Sequence, residues 1–308
     1  MRPRSITPGR PVKHWSSERL GIVLALLAAL GFSLKAIFVK LAYAWPVSAV
    51  TLLAIRMLLS LPVFAYVGWR AGQEAAPIAR RDWLALGALG LLGYYGASIL
   101  DFIGLQYITA GLERLILFTY PTLTILIGVF AYGRKLHGRE VAAIVLSYLG
   151  IAAAFAHDLG LSSDSHAVWL GAGFVFGSSL SYALYLSGSG SMIARLGSAR
   201  FTALAMLFST AGTLLHFGIT EPLATLDQPW PVLGYGAAMA LFSTVLPVFM
   251  QSAAIRRIGP SRSVLIGTLG PILTIFFGWW WLGEAISLAQ ILGAGLVLVG
   301  VLLVSLRR

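Results

Sequence analysis

Pro121-Thr122-Leu123-Thr124-Ile125-Leu126-Ile127-Gly128 and Pro271-Ile272-Leu273-Thr274-Ile275-Phe276-Phe277-Gly278 stand 150 residues apart in a chain of 308. The register holds on either side without a gap. Leu115-Ile116 falls on Leu265-Ile266, Gly133 on Gly283, Gly150 on Gly300 and Gly21 on Gly171. Eight of the nineteen positions 115–133 are identical to 265–283. Biased composition yields scattered matches, but not a shared P-x-L-T-I-x-x-G in register. The chain is an internal repeat, and the nature of the repeat unit decides the fold.

Composition says what that unit is. Hydrophobic residues make up 58% and charged residues 11%, against roughly 25% charged in soluble proteins. Too few charges remain to coat a soluble surface, and the apolar content excludes disorder. The 34 glycines follow no period, which excludes collagen. A bilayer core takes about 20 apolar residues per helix. Ten such stretches are readable, at 20–42, 47–67, 83–105, 110–132, 139–157, 167–188, 200–219, 230–253, 260–282 and 286–306. Five fall in a first repeat, 19–158, and five in a second, 159–308, after a basic cytoplasmic tail, 1–18, expected to be mobile. Five is odd, so the second half enters the membrane from the opposite side. The expectation is an all-α polytopic membrane protein. Its ten transmembrane helices form a 5+5 inverted-topology repeat around a central cavity, the plan of many secondary transporters.

Charge placement supports this. Eighteen of the 22 Lys and Arg residues lie in the N-terminal tail, at the C-terminus, or in the loops after spans 2, 4, 6 and 8. The opposite loops hold none, but carry Asp158, Asp164, Glu221, Asp227 and Glu284. Cationic loops stay in the cytoplasm, so both termini are expected there and the number of spans is even. The same pattern accounts for most of the net charge of +11 without a nucleic-acid partner. With no cysteine there is no disulfide, thiolate nucleophile or Cys-ligated metal. No H-E-x-x-H and no G-x-x-x-x-G-K-[ST] occurs, and the five histidines lie at span ends or in loops. No catalytic residue, metal or cofactor is expected, and the chain is read as no enzyme. The partners expected are a small-molecule substrate and the lipid bilayer. Ten spans close around a cavity alone, so a monomer suffices.

The ten spans, the repeat and the proline-bearing fourth helix of each half resemble the drug/metabolite transporter superfamily, in particular its EamA-type members. The resemblance covers about residues 18–306. Within that family the chain looks closest to YddG-like exporters of aromatic amino acids. The resemblance implies a secondary transporter in a bacterial inner membrane, exporting small organic metabolites by alternating access. Aromatic or neutral amino acids come first, and cationic drugs, toxic compounds or another small metabolite are the alternative. Proton coupling and simple facilitation are both compatible with the residues.

Polar residues inside the spans are the candidate site. A charge at mid-membrane costs about 2.5–3.5 kcal/mol and needs a partner or water. Lys35 and Lys40 lie in span 1, Arg56 in span 2, Asp101 in span 3, and Glu113 and Arg114 in span 4. Lys40, Glu113 and Arg114 are near the outer ends and are read as snorkelling anchors. Lys35 and Arg56 are deeper, with Asp101 as the scarce partner. Either an ion pair forms there, or one cation attracts an anionic substrate group. The repeat mates of Lys35 and Asp101 are Tyr185 and Gln251, so charged recognition is asymmetric. Tyr94, Tyr95, Tyr120 and Tyr182 complete the cavity set, because a mid-membrane tyrosine needs a partner for its hydroxyl. Pro121 and Pro271 are read as matched hinges, since a mid-helix proline removes a backbone hydrogen bond and kinks the helix. Gly87, Gly90, Gly93 and Gly96 form a close-packing stripe on span 3. Trp279, Trp280 and Trp281 mark an interfacial belt, and Ser187–Ser191 a flexible helix end.

Overall fold

The computed structural model describes residues 14–73, 75–161 and 163–305. Most of the tail 1–18 therefore lies outside the described residues. From His14 the chain is already helical, because the apolar run pulls its start into α1. The helices are α1 (His14–Ala42), α2 (Ala49–Gly72), α3 (Arg80–Gly104), α4 (Ala110–Tyr132) and α5 (Gly138–Leu161) in the first half. The second half holds α6 (Ser165–Leu196), α7 (Ser198–Thr220), α8 (Trp230–Ile258), α9 (Pro260–Gly267 and Gly270–Leu282) and α10 (Leu288–Ser305). Among the described residues there is no strand. Nine of these helices are long and apolar enough to cross a bilayer, and α10 is a shorter apolar helix. The protein is a multi-pass membrane protein. The start of α1 and the end of α10 share one side, called the terminus side below; the other is the far side.

The two halves interlock around a pseudo-two-fold axis. Helix α1 packs on α8 and α9, as α6 packs on α3 and α4. Helix α2 packs on α7, and α5 on α10, each pair mapping onto itself. The second of these pairs packs backbone against backbone. A Cβ on Gly150 would meet the Gly293 carbonyl oxygen at 2.4 Å, and one on Gly293 would meet the Gly150 oxygen at 2.4 Å. The backbones touch because neither position has a side chain, the close approach that small residues permit between membrane helices.

Irregularities repeat as faithfully as the helices. Helix α3 carries a π-turn at Leu91–Gly96, and α8 carries one at Leu241–Val245, starting 150 residues later. Helix α4 breaks at Phe118 and Thr119, and α9 at Thr268 and Leu269. Gly133 and Gly283 end those helices at φ 63° and 67°, a left-handed turn that only glycine adopts without strain.

Pro121 and Pro271 do not sit inside unbroken helices, as the sequence reading has them. Each stands in the first turn of the second segment, where proline's missing N–H is no loss. The carbonyl that Pro121 leaves without a donor is that of Leu117, and Ser179 Oγ donates to it at 3.0 Å. Ser179 also contacts the Thr119 hydroxyl at 2.7 Å. Ser179's repeat mate is Ala29, which has no hydroxyl; at the α9 break it is Ser33 Oγ that donates, to the Gly270 carbonyl at 3.1 Å.

Three smaller expectations resolve here. Ser187–Ser191 is not a helix end: α6 continues to Leu196, with the Ser187 and Ser189 hydroxyls folded back onto Ala183 O and Leu186 O. The glycine stripe of α3 is a packing face. Gly87 and Gly90 abut α7, while Gly93 and Gly96 abut α6. Trp279, Trp280 and Trp281 are exposed at the far end of α9.

Candidate functional site

The charged residues gather in the far-side half of the bundle. Lys35 Nζ on α1 lies 2.7 Å from Asp101 Oδ2 on α3 and 3.7 Å from Glu113 Oε1 on α4. The two carboxyl groups also lie against each other. Asp101 is 1% exposed and Glu113 0%. Glu113 is no anchor, and neither is Arg114, which is 7% exposed. Their helix starts at Ala110 beneath a covering loop, so one turn in from its end is already interior. Arg114 stacks on Phe118, its guanidinium carbon 5.5 Å from the ring centre. Its Nε is buried without a hydrogen-bond partner among the described residues, and the charge reaches Asp101, Glu113, Tyr120 and Tyr182. A side chain at Gly270, beside the α9 break, would touch the guanidinium at 3.3 Å.

Arg56 faces this knot from α2 but makes no ion pair in it among the described residues. It donates to Ser98 Oγ at 2.9 Å and lies over the Phe102 ring at 5.1 Å. Lys40 does not snorkel outward. It donates to the carbonyls of Ile108 at 2.9 Å and Leu105 at 3.3 Å, tying α1 to the α3–α4 loop.

The tyrosines form a second group, toward the terminus side. Tyr94 and Tyr185 share a hydroxyl contact at 3.1 Å. Tyr185 stacks on Tyr182 at 5.6 Å, and Tyr182 meets Tyr120 edge-on at 5.1 Å. Tyr95 is separate, its hydroxyl 2.9 Å from His216 Nδ1 on α7. Gln251 is half-buried on α8.

A cavity of about 270 Å³ opens between α2, α7 and α8, lined by Phe64, Val67, Thr202, Phe249, Ser252 and Arg256 among others. Thr202 also lies in hydrogen-bonding reach of Tyr94, so the cavity meets the tyrosine group. A wider hollow at Arg70 and Gln73 is superficial and touches none of these residues. The space is thus off-centre, toward the terminus side, rather than beside Lys35. Lys35, Asp101 and Glu113 draw α1, α3 and α4 together on the far side and fill it.

Further ties seal that side. Glu284, in the α9–α10 loop, accepts from the backbone N–H of Ala110 at 2.8 Å and of Gly111 at 3.3 Å. These are free donors at the start of α4, where the helix dipole also favours an anion. Asp158 accepts from Thr109 at 2.7 Å and Gln290 at 3.2 Å. Burial pushes the Glu284 carboxyl above its ordinary range; the two N–H bonds and Lys40 oppose this. The repeat mates of Glu284 and Gln290 are Arg134 and Glu140. Those two pair with each other across the α4–α5 connection, Arg134 in the loop and Glu140 in the first turn of α5. Among the described residues, no group of three metal-ligating side chains occurs.

The sequence reading took Glu113 and Arg114 for anchors and gave Glu284 no role beyond that of a loop acid. Their only signal was charge at a hydrophobic boundary.

Comparison with known proteins gives the chain its relatives. The profile of the EamA-like transporter family matches residues 19–156 and again 169–306. The uncharacterized transporter YcbK of Bacillus subtilis is 32% identical over 287 residues, 89% of each chain. The threonine/homoserine exporter RhtA of Escherichia coli is 26% identical over 216 residues, 67% of each chain. A crystal structure 17% identical superposes with a TM-score of 0.63, covering 92% of this chain and 96% of that one, which shows the shared fold.

Proposed function

The chain belongs to the EamA-like transporter family, and from that premise we propose that it exports small amino acids or closely related metabolites by alternating access. The observation that carries this reading is one-sided closure of a two-fold-related bundle. The far side is tied by Lys35–Asp101, Lys40 and Glu284, while the cavity opens toward the termini. Exchanging the conformations of the two halves would open the other side. We read the termini as cytoplasmic in a bacterial inner membrane, from the cationic loops. The state described then faces inward, ready to load an export substrate. We read the protein as a monomeric carrier, with no catalytic chemistry, cofactor or nucleic-acid partner.

In this reading Arg114 receives the substrate carboxylate. It is the buried cation that has no carboxylate within 4 Å among the described residues and that faces both the tyrosines and the α9 break. Arg56 has a hydroxyl and a ring, and Lys35 has Asp101. Tyr94, Tyr120, Tyr182 and Tyr185 supply an aromatic wall with hydroxyl groups, suited to an amino-acid side chain. The breaks before Pro121 and Pro271 act as the hinges. The relative that exports threonine and homoserine supports an amino-acid substrate. A cationic drug is disfavoured, because Asp101 is engaged by Lys35 and Glu113 lies against Asp101.

The test is counterflow into liposomes preloaded with unlabelled threonine or phenylalanine, without an ion gradient. Accumulation of labelled trace above protein-free liposomes is expected. Arg114→Gln should raise the half-saturating concentration about tenfold or more, since a hydrogen bond to a charged group is worth ~1.5–3 kcal/mol. No accumulation of either amino acid by folded, inserted protein would sink the amino-acid reading.

A further inference from the structure

Glu113 presents a problem of hydrogen-bond accounting. Both its oxygens are buried, and among the described residues neither has a donor within hydrogen-bonding distance. Lys35 Nζ stands 3.7 Å away and is committed to Asp101 at 2.7 Å. The nearest polar group is the Asp101 carboxyl, on which an ionised Glu113 has nothing to accept from. An ionised carboxylate in a water-excluded site without a donor costs several kcal/mol. Two carboxylates in contact cost more, because like charges at that distance cannot both ionise freely. A single proton removes both penalties. Protonated Glu113 becomes a donor, and ionised Asp101 accepts from it and from Lys35. We propose that Asp101 and Glu113 form a proton-binding pair whose occupancy by one proton closes the far side, making the carrier a proton antiporter.

The surroundings fit one exchangeable proton. Facing the pair are Lys35 from α1, Arg114 from the same turn of α4, Arg56 from α2 and the Tyr43 hydroxyl. Lys40, Glu284 and Asp158 lie further toward the far-side surface. The pair spans two helices, α3 and α4, and the lysine adds a third. Losing the proton therefore turns a contact that holds three helices together into a repulsion between two of them. Export follows in order. The protonated state faces the termini and loads substrate; the proton leaves to that side; the far side opens and releases substrate. A proton then enters from the far side and closes it. One proton moves inward for each substrate moved outward.

This inference rests on the export reading, so its experiment has one readout that needs no substrate. The infrared carboxyl C=O band of the purified full-length protein is followed on raising the pH. A protonated carboxyl that titrates in wild type should be missing in E113Q, with E113D as a variant that keeps the group. In liposomes, with the membrane potential clamped at zero, a gradient of one pH unit should sustain about a tenfold threonine or phenylalanine ratio in wild type. E113Q keeps a neutral donor beside Asp101 and mimics the protonated state, so it should hold the far side closed and sustain neither counterflow nor a ratio, while E113D keeps both. A gradient-driven ratio in E113Q equal to wild type, or no titrating carboxyl in wild type, overturns the pair. Titration of the pair with neither amino acid transported leaves the pair standing and overturns the substrate reading.

Discussion

Replacing Glu284 by alanine should unlatch the far side without touching the interior. Its carboxylate accepts two backbone N–H groups at the start of α4, at 2.8 and 3.3 Å. A hydrogen bond to a charged acceptor contributes ~1.5–3 kcal/mol. The second bond is long and Glu284 is only half-buried, so the pair together is taken as about 2 kcal/mol, near the lower end for a single bond. That shifts the ratio of far-side-open to closed protein about thirtyfold. The chain has no cysteine, so one introduced thiol is an unambiguous reporter. Ala110 is fully buried beneath the latch. In an Ala110→Cys background, labelling by a membrane-impermeant maleimide from the far side measures the open fraction. Labelling should quicken about thirtyfold in the Glu284→Ala double variant, and only slightly with Glu284→Gln, which keeps an acceptor. A change below about threefold, on a protein that still melts like its parent, would refute the latch, since ~2 kcal/mol cannot hide there.

Other outcomes follow from the same geometry. The carboxyl of Glu284 is held above its ordinary range by burial, so the latched state binds this proton more tightly than an open, hydrated state does. The latch is then strongest below the ordinary glutamate range and weakens as pH rises through the raised value. In an Ala110→Cys, Glu113→Gln background, labelling normalised to free cysteine should accelerate with far-side pH, and Glu284→Gln should flatten that dependence. Gly150→Ala puts a Cβ 2.4 Å from the Gly293 oxygen and should destabilise the protein by ~1–3 kcal/mol in a detergent melt. Gly295→Ala on the same helix pair, with open space around it, should not. Lys35→Met leaves Asp101 buried without its cation and should cost ~3–5 kcal/mol. Adding Asp101→Asn should recover much of that melting temperature; no recovery would mean the pair is not what Lys35 holds.

Much of this fold was legible because hydropathy and the repeat report on long segments. The ten spans and their inversion follow from where apolar runs and cations fall, and the prolines located the breaks to within three residues. Side-chain partners were less legible. Tyr94 and Tyr95 are adjacent in sequence, yet one meets Tyr185 on α6 and the other His216 on α7. They sit in a π-turn, where an extra residue per turn alters which way successive side chains face, and nothing in Leu91–Gly96 signals that. Glu113 and Arg114 were misplaced for a related reason. Distance from a span end is a poor measure of depth when a loop from the other half covers that end.

The contact between α5 and α10 has a mechanical meaning of its own. Under the pseudo-two-fold each takes the other's place: the close approach of Gly150 to Gly293 is answered by that of Gly300 to the Ala143 carbonyl, so the crossing keeps its form whichever half is in which conformation. That pair is a fixed axle, and the rest of the bundle turns about it. A covalent tether between α5 and α10 should leave turnover intact where one between α1 and α8 arrests it. The outer surface of that axle is the natural place to fasten a fluorophore or a binding fragment meant to ride along without disturbing transport.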